Sequence, residues 1–351
     1  MRGPAVKPAT AQAVLLSGEH PTLPLAELRA LLAVHDPRAT AHADGPVATV
    51  QPGDLAATRT ALARMALAHE WGDLWATEPE TEAGLHRLAV LVPAVAPHAG
   101  TAAVATERRG TGKAVERSHV ERELGAVLKA SGLAIDLRAP EHVVFAWLAD
   151  GRITLGERGG RNDRSSHEDR ISDERAHFSP VSLHPRRAAS LLHLARVPPG
   201  GRVLDPFCGT GGLVLEAALE GYDAWGSDLD SVMVQGTLQT LADHGDAALA
   251  GTVLQADIAQ VPDLVEGVDG IVTDFPYGRA SSSHDEGLAD LYDRAFAAFA
   301  RLLSEGCHAV VGCAQPDLLP DLSKHGFVEV ERHVERVHKS LTRHYVVARR
   351  L

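Results

Sequence analysis

Cysteine is scarce: Cys208, Cys307 and Cys313 are the three in a chain of 351 residues. Such a number excludes a disulfide framework, and their spacing gives no metal-ligand pattern. Lysine is nearly as rare, with Lys7, Lys113, Lys129, Lys324 and Lys339 making up the whole set. Positive charge is therefore carried by arginine, which suits planar phosphate and base contacts but equally reflects a composition rich in Ala and Arg. No run of about 18 uninterrupted apolar residues occurs, so no membrane span is expected. The first twenty residues lack the apolar core of a secretory signal, and an intracellular, cytoplasmic setting is expected. A net charge of −12 argues against a generally basic nucleic-acid binder, although a local basic patch suffices for one. What remains is ordinary for a soluble globular chain, 45% hydrophobic and 23% charged, long enough for two or three domains.

Residues 1–80 read as alternating strands and helices. "AVLLSG" is strand-like, "LPLAELRALLAVHD" has helical spacing, and "ATAHADGPVATVQP" folds back at a Gly-Pro turn. "DLAATRTALARMALAHE" is expected to be a helix capped by Asp54. A second small α/β unit covers 81–157, with a basic loop between Arg108 and Arg122 and a helix over "SHVERELGAVLKASG". Residues 158–180 begin with "RGGRNDRSSHEDRISDERA", almost free of apolar side chains, and are expected to connect domains. From 181 to 351 strands alternate with helices, which implies a mostly parallel sheet covered on both faces. "FVEVERHVERVH" and "TRHYVVARR" are expected to close that sheet as a final pair of strands.

In such a sheet, ligands lie beyond the carboxyl ends of the strands, near the switch in strand order. Four strands here end in an acid: Asp205, Asp228, Asp257 and Asp274. The first leads into "DPFCGTGGLVLEAA", where Gly209 and Gly211 permit a tight turn and close approach of a ligand. No Gly-Lys-Ser/Thr follows, which excludes a P-loop, and Val214 is too bulky for a dinucleotide fingerprint. Asp274 opens "DFPYG", a carboxylate at the mouth of an apolar strand followed by a stiffened turn. Cys208 reads as a packing residue rather than a nucleophile.

The Asp-x-Phe-x-Gly-x-Gly-Gly loop, with Asp228 ending the next strand, resembles the S-adenosylmethionine pocket of Rossmann-like class I methyltransferases. The resemblance implies that Phe207, Gly209 and Gly211 meet the aminocarboxypropyl group over Asp205. Asp228 would take the ribose hydroxyls, Asp257 the adenine amino group, and Phe178 would line the pocket. "DFPYG" resembles the Asp/Asn-Pro-Pro-aromatic motif of amino-methyltransferases. There Asp274 and the Phe275 carbonyl would grip an exocyclic amine, Pro276 would stiffen that carbonyl, and Tyr277 would stack on the base. Phe275 stands where those enzymes have proline, and Phe275→Pro is expected to be tolerated.

Most of the chain is similar to archaeal THUMP-containing tRNA (guanine-N2) methyltransferases that modify guanine at position 10. That resemblance implies a ferredoxin-like domain over 1–80, a THUMP RNA-binding domain over 81–157, a linker over 158–180 and the methyltransferase domain over 181–351. Arg108, Arg109, Lys113, Arg117 and Arg122 would contact tRNA phosphates, with Arg279 beside the flipped base. Interleaved Glu107, Glu116, Glu121 and Glu123 fit a self-paired solvated face equally well. No metal is implied. A small activating protein partner, the oligomeric state and the number of methyl groups are left open by the sequence. So are three other readings: guanine-N2 methylation elsewhere in tRNA or rRNA, a DNA amino-methyltransferase, and an RNA-binding protein that has lost turnover.

Overall fold

A computed structural model describes residues 11–110, 114–168, 170–171, 183–244, 252–277, 287–339 and 341–351. The expected site residues Lys113, Phe178 and Arg279 lie outside them. The chain divides into two compact units, 1–162 and 163–351.

The first unit is one eight-stranded sheet. Its strands are β1 (Gln12–Leu16), β2 (Thr40–Asp44), β3 (Val47–Gln51), β4 (Ala68–Pro79), β5 (Thr101–Arg109), β6 (Ala134–Ile135), β7 (His142–Ala149) and β8 (Arg152–Arg161), in the order β2-β3-β1-β4-β8-β7-β5-β6. Helices α1 (Leu23–His35), α2 (Leu55–Arg64), α3 (Glu82–Val95) and α4 (Arg117–Ala130) complete it. The segments expected as two modules, 1–80 and 81–157, are thus joined edge to edge where the twelve-residue β4 pairs with β8. Arg158–Arg161, expected to begin a linker, belong to β8.

The helix expected over 54–70 stops at Arg64, and Ala68 onward is strand. Its break is imposed from far away in sequence. The buried Glu27 carboxylate accepts the Ala66 and Leu67 N–H groups at 2.8 and 2.9 Å. Asn162 donates to the Leu62 and Met65 carbonyls, each at 2.9 Å, satisfying the helix end. Pairing of β4 with β1 and β8 then outweighs a helical propensity worth only tenths of a kcal/mol per residue.

The second unit holds α5 (Ser165–Glu168), α6 (Pro185–Leu194), β9 (Arg202–Asp205), α7 (Gly212–Leu219), β10 (Asp223–Asp228), α8 (Ser231–His244), β11 (Thr252–Gln255), α9 (Val261–Leu264), β12 (Val268–Asp274), α10 (Leu288–Leu302), β13 (Leu303–Cys313), β14 (Phe327–His338) and β15 (Leu341–Arg350). Sheet order is β11-β10-β9-β12-β13-β15-β14. The first five of these run parallel; β15 runs antiparallel to β13, and β14 antiparallel to β15, so the two close the sheet as the expected final pair of strands. Strand order reverses between β9 and β12, so the crevice for a ligand opens where Asp205 and Asp274 end. Helix α10 buries Leu291, Tyr292, Ala295, Phe296, Phe299 and Leu302, a helical stripe against the sheet. Burial of each large side chain in such a stripe is worth about 1.5–3 kcal/mol.

Candidate active site

Asp205 is the floor of the crevice. It is 4% exposed, and its Oδ1 accepts from Thr273 Oγ1 at 2.6 Å and from the Phe207 N–H at 3.2 Å. Burial pushes its carboxyl up to about 7, with the charges of Asp228 and Asp274 adding to the effect. The bond to Thr273 ties β9 to β12 across the switch in strand order.

The loop above is rigid for reasons spread over two elements. Gly209 sits at φ +51° with no described atom near the place a Cβ would take, so its face is open. Gly211 also has positive φ, but a Cβ there would lie 2.7 Å from Thr237 of α8; that glycine is required by packing, not by a ligand. Thr237 and Thr240 donate to the Gly209 and Thr210 carbonyls at 2.7 and 2.9 Å. Asp228 Oδ2 accepts the Gly209 N–H at 3.0 Å and Oδ1 the Asp230 N–H at 2.9 Å. Each oxygen keeps a further lone pair, enough for ligand hydroxyls. Cys208 is buried, and burial pushes its thiol up, which fits packing rather than nucleophilic use.

At the mouth of β12 the Asp274 carboxylate meets two partners. Tyr277 donates its hydroxyl to Oδ1, and Arg343 Nη2 lies 3.2 Å from Oδ2. Burial pushes Asp274 up, against the pull of Arg343 and the Tyr277 hydroxyl, to about 6. The Arg343 guanidinium and the Tyr277 hydroxyl thus favour the carboxylate form in a poorly solvated place. The next residues are anchored: the Phe275 N–H donates to the Gly312 carbonyl at 2.8 Å, and the Pro276 carbonyl accepts from Tyr292 at 3.2 Å. Between these two anchored peptides lies the Phe275 carbonyl.

Residues 173–345 match the family model of the RMKL-like methyltransferase domain, UPF0020. Over 335 residues, 94% of this chain and 96% of the relative, the sequence is 31% identical to a tRNA (guanine(10)-N2)-dimethyltransferase of Methanothermobacter thermautotrophicus. The chain belongs to the tRNA (guanine-N2) methyltransferase family. It is also 30% identical over 217 residues to a tRNA (guanine(6)-N2)-methyltransferase of Thermus thermophilus, covering 59% of this chain and 61% of that one. The crystal structure of TrmN from Thermus thermophilus matches with a TM-score of 0.57 at 24% identity, over 97% of this chain and 100% of that one, a likeness of fold. The second unit has the class I S-adenosylmethionine-dependent methyltransferase fold.

In this family member Phe275 replaces ring closure by packing. Its side chain is 1% exposed and stacks on Tyr292 at 4.3 Å, with Phe207 edge-on at 5.3 Å and Phe299 beyond. This packing argues against the expected tolerance of Phe275→Pro. Proline would delete both this ring and the N–H bonded to Gly312. We expect that variant to lose about 3–5 kcal/mol, the cost of emptying a buried Phe site, read as a large fall in Tm. An unchanged Tm would mean that the ring adds nothing to the turn.

Other expected site residues are placed differently. Phe207 is half-buried against Phe275. Tyr277, expected to stack on a base, lies with Arg343 5.4 Å from its ring centre and with its hydroxyl on Asp274. Asp257 lies two residues past β11, where both its oxygens meet Arg294 Nη2 at 2.6 and 2.7 Å, so an adenine amino group would meet a carboxylate already paired. Two residues close to Asp274 carry no local motif: Arg343 on β15 and Gly312 on β13.

In the first unit, Arg108 is turned inward. Nη1 meets the buried Glu80 at 2.7 Å and Nη2 the Val115 carbonyl at 2.5 Å. Arg109 pairs with Glu107 at 3.0 Å. Arg117 donates to Thr106 Oγ1 and its carbonyl at 3.2 and 3.0 Å. Arg122 is exposed on α4. A recess of about 380 Å³ is lined by Arg117, Arg158 and Arg161 together with Glu70, Glu107 and Glu121.

Proposed function

We propose that the protein methylates the exocyclic N2 of guanine 10 in tRNA, with S-adenosylmethionine as methyl donor. The observation that carries this reading is the Asp274 carboxylate next in sequence to a Phe275 carbonyl whose flanking peptides are both anchored, at the crevice formed where β9 and β12 diverge. An aromatic amine is a weak nucleophile because its lone pair is delocalised into the ring. Two fixed acceptors, one on each N–H, turn the nitrogen toward its electrophile and stabilise the positive charge that develops on it. Asp274 supplies one acceptor and the Phe275 carbonyl the other. A methylated ammonium loses its proton readily, so Asp274 need not be a strong base.

The cofactor supplies an activated methyl group on sulfur. The open face of Gly209 and the spare lone pairs of Asp228 suit its aminocarboxypropyl and ribose parts. Position 10 is favoured because the relative of that name matches along nearly the full length, whereas the position 6 relative matches over 59% of this chain. The deciding experiment is methyl transfer to an unmodified tRNA transcript followed by nucleoside mapping. N2-methylated or N2-dimethylated guanine at position 10 is expected. Product at position 6, or in DNA, overturns the assignment.

The first unit is proposed as the RNA-binding module of THUMP type. Of the expected phosphate contacts, Arg122 is the exposed one, while Arg108, Arg109 and Arg117 are placed against Glu80, Glu107 and Thr106; Arg161, not expected from the sequence, is exposed beside the same recess and is added as a candidate. Removing either charge by substitution with Ala is expected to weaken tRNA binding and reduce the slope of log K against log salt by about 1. Arg108→Ala is expected to lower thermal stability instead. An unchanged slope in both single variants would move the RNA footprint off this unit's arginines.

A further inference from the structure

Arg343 sits on β15, 66 residues from Tyr277, and is 4% exposed. Its guanidinium faces two groups of the motif at once. Nε donates to the Tyr277 hydroxyl at 2.5 Å, and Nη2 pairs with Asp274 Oδ2 at 3.2 Å. The same hydroxyl donates to the other Asp274 oxygen. The three side chains thus form a closed triangle in which one carboxylate oxygen is held by arginine and the other by tyrosine.

We propose that Arg343 is a positioning residue for the methyl transfer: it fixes the Asp274 carboxylate with Oδ2 turned inward and Oδ1 toward the base, and it retains the Tyr277 hydroxyl when the guanine amino group takes that hydroxyl's place on Oδ1. The inference rests on the assignment of guanine N2 as the acceptor. Arginine suits this task because its planar fork presents two donors in fixed relation, which an ammonium group cannot. The exchange keeps Oδ1 satisfied and takes from the Tyr277 O–H its carboxylate acceptor, leaving that hydroxyl the bond it accepts from Arg343. The amino N–H replaces the hydroxyl O–H on Oδ1, and the hydroxyl keeps the Nε–H bond.

The charge environment makes the arginine necessary. Around Asp274 stand Tyr277 on its own turn, Arg343 on β15, Glu335 on β14, Asp205 on β9, Tyr292 on α10 and Cys313 on β13. Burial is the main upward push on Asp274, and the Glu335 charge adds a smaller one; Glu335 is itself held by Arg187 Nη2 and the Tyr345 hydroxyl, each at 2.5 Å. Arg343 is the cation that opposes it. Without it, a carboxylate already destabilised by burial loses the stronger of the two contacts that favour its charged form, keeps the Tyr277 hydroxyl, and protonates at higher pH.

The test compares wild type, Arg343→Met, Arg343→Lys and Glu335→Gln in methyl transfer to the tRNA transcript across the acid-to-neutral range, with cofactor binding measured by calorimetry. Arg343→Met is expected to lose roughly 10²-fold in kcat with cofactor binding unchanged. Its acid limb is expected to move upward by about one pH unit or more. Arg343→Lys should return the acid limb to its wild-type position while recovering only part of kcat. Glu335→Gln should move the limb the other way, to lower pH, and this arm stands even if Arg343→Met fails to fold. An active wild type whose Arg343 and Glu335 variants keep its acid limb overturns the role of Arg343 alone. A well-folded wild type that transfers nothing to guanine N2 overturns the function and the Arg343 role with it.

Discussion

Asp274→Ala is expected to lower methyl transfer by about 10³-fold, the upper end of the cost of deleting one preorganised electrostatic contact. The reason lies in the separation of tasks within the crevice. Asp274 bonds to Tyr277 and Arg343, while the loop that meets the cofactor is held by Asp228, Thr237 and Thr240. Removing Asp274 therefore leaves the loop's own bonds in place, and cofactor binding measured by calorimetry is expected to stay within about threefold of wild type. The substitution also leaves the buried Arg343 without its carboxylate, so some thermal stability is lost. Asp274→Asn separates these effects. The amide keeps one acceptor oxygen and the shape of the side chain, and its turnover is expected to fall between wild type and Asp274→Ala. Parallel loss of cofactor binding and turnover in both variants would make Asp274 a structural acid and refute the gripping role.

The second unit was legible because its chemistry is written locally. Asp205, Asp228 and Asp274 each terminate an apolar strand, and Gly209 follows its strand at a distance a tight turn needs. The helix break at Met65 is not local. It depends on Glu27 and Asn162, which reach the helix end only once the sheet has formed, so an Ala-rich segment read forward continues as helix. The packing of Phe275 is hidden for a related reason. Compared with a proline motif Phe275 looks like a loss of stiffness, yet the aromatic stripe Tyr292, Phe296 and Phe299 on α10 was present in the sequence as a face in need of a partner. Arg343 and Gly312 carry no signal of their own, since pairing of β12, β13 and β15 alone brings them to Asp274.

Gly312 makes the second large prediction. It pairs with Asp274 on one side and Tyr345 on the other, and its carbonyl receives the Phe275 N–H. A Cβ on this residue would overlap Asp274 Oδ1 and lie 3.3 Å from its Cγ. The carboxylate cannot simply rotate away, because Tyr277 and Arg343 hold both of its oxygens. Gly312→Ala is thus expected to displace the acceptor rather than the fold. We expect a loss of roughly 10²-fold in turnover, since misplacing a reacting group by about 1 Å costs that much, with destabilisation limited to about 1–3 kcal/mol for one added methyl in a packed place. Cofactor binding should be retained, because Gly209 and Asp228 are not touched. Wild-type turnover in Gly312→Ala would show that the carboxylate has freedom this packing denies it, and that alignment of the amine is set elsewhere.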